Sequence, residues 1–154
     1  MDRFDRRLSD IKPKDLLFVI LFGVVISTLL GIAIGFIDYF IMDKISFSLF
    51  FILFFLSSQY IGNTVRKQYD YPHIVYTVIT GIFLVIQALL ALSIPYMLNF
   101  VSGINNVGLL LEPGFFFNLL YLVITRVILT FTFDGLLIIV VLFVGTYLGV
   151  RKTY

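Results

Sequence analysis

The chain has 154 residues, 60% of them hydrophobic and only 13% charged, with a mean hydropathy of +1.07. A soluble domain of this length carries roughly a quarter of its residues as charges, so the surplus apolar surface needs lipid as its solvent. The net charge of +2, with no basic stretch free of lipid, excludes a nucleic-acid partner, and the absence of cysteine excludes disulfides, thiolate metal sites and thiol catalysis.

Residues 1–15 carry nine charges ahead of the first apolar run. Phe4, Leu8 and Ile11 fall at i, i+4 and i+7, which allows a short interfacial helix ended by Pro13 or a frayed charged terminus. A first span is expected over about Leu16–Ile37, too long an apolar core for a cleaved leader. A second is expected over about Ile45–Val65 and a third over about Ile74–Leu98, each near the ~20 residues that cross a ~30 Å hydrocarbon layer. From Phe115 to Val150 the chain stays apolar except for Asn118, Arg126 and Asp134. One unbroken helix there would be roughly 54 Å long, so residues 115–130 are expected to be interfacial or re-entrant and residues 131–150 to form the last crossing. The alternative, a fifth crossing, needs a reversal near Asp134 with almost no loop.

The reading is an all-α integral membrane bundle of four transmembrane helices, a single membrane domain over residues 1–154. Arg3, Arg6, Arg7, Lys12, Lys14, Arg66, Lys67, Arg151 and Lys152 then fall on one side, and Lys44 and Arg126 on or toward the other. By the positive-inside rule both termini are cytoplasmic in the cell membrane.

Gly23, Ser27, Gly31 and Gly35 recur every four residues in span one, and Gly145 and Gly149 repeat the spacing in the last span. Small residues in that register lay a groove along one helix face where backbones approach closely. The groove serves packing within the bundle, or an interface with another membrane protein or a second copy. Gly81, Ala88 and Ala91 offer a matching seam in span three.

Polar residues inside apolar runs are the remaining candidates. Asp38 lies one heptad beyond Gly31, as an interfacial anchor or, with Asp43 and Glu112, part of a cation site. Arg126 and Asp134 are ~12 Å apart on a straight helix and pair only if the chain bends between them. They act as a charged pathway pair or sit at headgroup level, with Asp134 capping the last helix. Gln59, Asn63, Thr80 and Gln87 line a polar pathway or hydrogen-bond between helices for ~1 kcal/mol each. The single histidine, His73, reads as interfacial. No catalytic constellation is legible, and nothing calls for a cofactor or a metal. A non-catalytic subunit or accessory protein of a membrane complex is therefore expected, with a small oligomeric transporter or channel using Asp134 and Arg126 as the alternative.

Overall fold

Residues 11–45, 48–104, 108, 112–128 and 132–154 are described in the computed structural model, and all regular structure among them is helical. Five α-helices run α1 Pro13–Ile45, α2 Phe50–Arg66, α3 Ile74–Ile104, α4 Pro113–Leu122 and α5 Phe133–Arg151, with a π-helical turn Val123–Ile128 after α4. Apolar chains favour this outcome because a helix satisfies its own backbone where no water can. α1, α3 and α5 are long and apolar enough to cross a membrane, which suggests a membrane location. α2, with 17 residues, extends only about 25 Å.

Two helices outrun their expected spans. α1 continues through Asp38, Asp43 and Lys44 to Ile45, because polar side chains end an apolar run without breaking backbone hydrogen bonds. Pro13 opens α1. At the first helical position its missing N–H is no loss, and Leu16 N donates to the Lys12 carbonyl at 3.1 Å. The proposed interfacial helix over the first ten residues lies outside the described residues. α3 runs on to Ile104 through Pro95. Pro95 cannot donate to the Ala91 carbonyl four residues earlier. A Cβ placed on Gly35 would stand 3.0 Å from that same carbonyl oxygen, so α1 packs against the acceptor that proline leaves open.

Close contacts define the arrangement. Gly23, Gly31 and Gly35 of α1 face Phe83, Gln87 and Ile94 of α3 in the same chain order, so these two helices run parallel. Gly145 and Gly149 of α5 face Phe54 and Ser58 of α2, again in parallel. The two pairs are antiparallel to each other. One end of the bundle gathers Lys12, the α2–α3 connection and the C-terminus; the other gathers Asp38, Ser48, Asn99 and Asp134. α4 lies along α3, with Phe115 against Phe100 at 5.3 Å between ring centroids. The π-helical turn buries Val123 completely in a core shared with Phe54, Leu92 and Ile138.

At the Lys12 end, Lys12 Nζ meets Asp70 at 2.6 Å on the exposed surface. The hydrogen bond and charge of Lys12 lower the Asp70 pKa, but water screens the pair and little stability rests on it. Tyr69 is buried beside it. Its ring stacks on Tyr76 at 4.2 Å, its hydroxyl donates to the Thr153 carbonyl, and the Thr77 and Thr153 hydroxyls lie 3.0 Å apart. Burial pushes the Tyr69 phenol up to about 12. A folded value above the ordinary 10 means that the contact is fully present below pH 10 and is lost as pH rises toward 12. Tyr69→Phe should remove that alkaline loss, cost about 1 kcal/mol at neutral pH and accelerate carboxypeptidase digestion of the tail. Unchanged digestion would show that the hydroxyl does not hold the C-terminus.

Candidate functional site

The Asp134 end of the bundle holds a cleft of about 410 Å³ bordered by α1, the start of α2, α3 and α5. Its polar groups are Asp38, Ser48, Tyr96, Asn99 and Asp134, and Phe50, Phe51, Leu92, Leu137 and Ile138 make up much of the rest. Each arrives for a local reason. Asp38 is reached because α1 does not stop at the end of its apolar run. Asn99 is presented because α3 passes through Pro95. Asp134 sits in the first turn of α5, which begins where Thr132 takes an extended conformation (φ −72°, ψ 162°).

Asp38 does not occupy an open edge or a loop, as expected from its position. It is buried within α1, and its Oδ1 accepts hydrogen bonds from Leu49 N at 2.7 Å and Phe50 N at 3.1 Å. The Ser48 hydroxyl donates to the same carboxylate at 2.9 Å. Helix starts leave N–H groups without intrahelical partners, and Leu49, at the N-cap of α2, has no side chain to satisfy them. Asp38 supplies the cap from a different helix. Asp43 and Glu112 are exposed. Among the described residues no three His, Cys, Asp or Glu side chains converge on a metal-sized site.

Asp134 does not cap α5. That role falls to Thr132, whose hydroxyl accepts from Gly135 N at 3.2 Å. Asp134 is exposed, and among the described residues it has no ion pair or hydrogen bond. Arg126 belongs to the π-helical turn, and its side chain lies outside the described residues. A separate helix, α4, occupies much of the expected 115–130 segment, and α5 begins at Phe133.

The amide set is not brought together. Gln59 is half-buried and Asn63 exposed, whereas Gln87 and Thr80 are fully buried. Thr80 donates back to its own helix at Tyr76. Gln87 Nε2 instead reaches Ser57 Oγ at 2.5 Å, tying α3 to α2, while its Oε1 has no partner among the described residues. A half-satisfied buried amide gives little net stability. Gln87→Leu should therefore unfold within about 1 kcal/mol of the parent in a detergent titration, whereas Ser57→Ala, which strands the amide, should cost about 1–2 kcal/mol. The reverse order would mean that the Gln87 carbonyl has a partner. His73 is buried at the start of α3, and its Nδ1 accepts from Val75 N at 3.2 Å.

Of the small residues, Gly23, Ser27, Gly31 and Gly35 lie buried on the α3-facing side of α1. Gly145 and Gly149 are buried against α2, and Gly62 of α2 faces Gly149 so closely that a Cβ there would collide with its carbonyl. Gly62, Ser48, Ser57 and Thr153 are contributors that sequence reasoning did not single out. Gly62 was readable, because it follows Ser58 at the same four-residue spacing.

Comparison with known proteins gives no match. No family model, curated protein or solved structure aligns with the chain.

Proposed function

We propose that the chain is a four-span protein of the cell membrane that acts as a non-catalytic subunit or accessory protein of a larger membrane assembly. The observation that carries this reading is how its internal polar groups are used. Asp38, Gln87 and Thr153 each bind one helix to another segment, and that is how a scaffold spends such groups. α2 serves as the fourth crossing because it runs beside α5 between the same two ends. Its shortfall of a few Å is within what bilayer thinning and snorkelling accommodate. Among the described residues Lys12, Lys14, Arg66, Lys67, Arg151 and Lys152 belong to segments at the Lys12 end, and the positive-inside rule assigns that end to the cytoplasm. The small residues face inward, so a partner meets bulky outer residues such as Leu17, Leu21 and Leu29 of α1.

The test is purification of the tagged full chain in gentle detergent, with its native mass and the identity of whatever accompanies it. A heterologous membrane protein at fixed stoichiometry upholds the reading. A clean homo-oligomer overturns it in favour of a small oligomeric transporter or channel using Asp134 and Arg126, a reading favoured by the place of Asp134 on the cleft. In that case Asp134→Asn abolishes transport in liposomes and leaves assembly intact.

A further inference from the structure

We propose that the cleft between α1, α3 and α5 is a binding site for an organic ammonium group. The site stands apart from the subunit reading and does not depend on it. Asp38 and Asp134 both border the cleft, and among its described lining residues there is no Lys, Arg or His. The charge therefore asks for a cation, and the rest of the lining decides which kind. A hard metal ion takes six to eight oxygens. Here Asp38 already serves α2, leaving Asp134, Asn99 and the Tyr96 hydroxyl as the available oxygens among apolar walls. An alkylammonium has the opposite needs. Its charge is met by one carboxylate and by the faces of aromatic rings, while its carbon substituents are met by apolar side chains.

The cleft supplies each of these. Asp134 is the exposed carboxylate, Tyr96 and Phe51 are the rings, and Leu137 and Ile138 supply apolar wall. A volume of about 410 Å³ is in the range of small-molecule sites and holds a substituted ammonium with an apolar arm. The same head is carried by a soluble amine and by the headgroup of a choline or ethanolamine lipid.

The experiment is isothermal titration of benzyltrimethylammonium into the full chain in phosphatidylglycerol nanodiscs, repeated in phosphatidylcholine nanodiscs. Saturable binding in the first is expected, about tenfold weaker in Asp134→Asn and within threefold of the parent in Asp134→Glu. Asp134 is exposed, so neither variant should change thermal unfolding. Weakened binding in phosphatidylcholine identifies the lipid headgroup as the competing occupant, and equal binding identifies a soluble amine. Either result upholds the ammonium site. Absence of saturable binding in phosphatidylglycerol, equal affinity in Asp134→Asn, or equal losses in the Asn and Glu variants would overturn it.

Discussion

Replacing Gly149 with alanine should destabilise the bundle by about 2 kcal/mol, although alanine is the better helix former. The added Cβ would lie 2.6 Å from the Ser58 carbonyl oxygen and 2.6 Å from Leu84 Cδ1. The Leu84 methyl can rotate away, but the carbonyl belongs to the α2 backbone and moves only if the helices part. Association of helices in lipid rests on packing contacts and not on expulsion of water, so separation forfeits dispersion energy along the whole seam. Gly103 supplies the internal control, since a Cβ there meets nothing within 4 Å. Gly103→Ala should be neutral or stabilise by up to ~1 kcal/mol through helix propensity. Gly23→Ala should fall between, because the obstacle is the Phe83 ring and not backbone. Reversible unfolding in mixed micelles ranks the three. Equal effects at Gly149 and Gly103 would mean that α2 and α5 are not in contact there.

Asp38→Ala should cost about 2–3 kcal/mol, the largest loss expected from a single polar side chain. The substitution takes the acceptor from Leu49 N, Phe50 N and the Ser48 hydroxyl together. Ser48 Oγ lies 3.3 Å from Phe50 N and offers a fallback for that amide alone. Asp38→Asn keeps one carbonyl oxygen at the same place and should lose roughly half as much, because hydrogen bonds to a charged acceptor are about twice as strong as neutral ones. Hydrogen exchange reads the effect locally. The Leu49 and Phe50 amides should exchange much faster in Asp38→Ala, while amides in the α5 core around Val141 change little. If the Leu49 amide keeps its protection, Asp38 is not the cap of α2.

The predominance of apolar residues and the positions of the charges were enough to define an all-helical chain with long lipid-compatible segments. Spacing alone put Gly31 and Gly149 on faces of small residues, because a four-residue period aligns side chains whatever the neighbour is; which helix each face meets, and how closely, is read from the tertiary structure. Hydropathy did not give the helix ends of α1 and α3. It measures where lipid stops, and a helix continues past that level for as long as its backbone bonds are satisfied, as at Asp38 and beyond Pro95. The role of Asp38 was hidden for a further reason: its partners, Leu49 and Phe50, become its neighbours only after the chain reverses between α1 and α2. Gln87 likewise reaches Ser57 and not Gln59, a choice made by the relative rotation of α3 and α2. The cleft at Asp134 is the clearest case, for its lining runs from Asp38 of α1 to Ile138 of α5, at opposite ends of the helical sequence. Local sequence determined which faces were small, apolar or charged. The depth and rotation at which those faces met came from the summed packing of the helices, and this decided which polar groups are consumed in holding the bundle and which remain open.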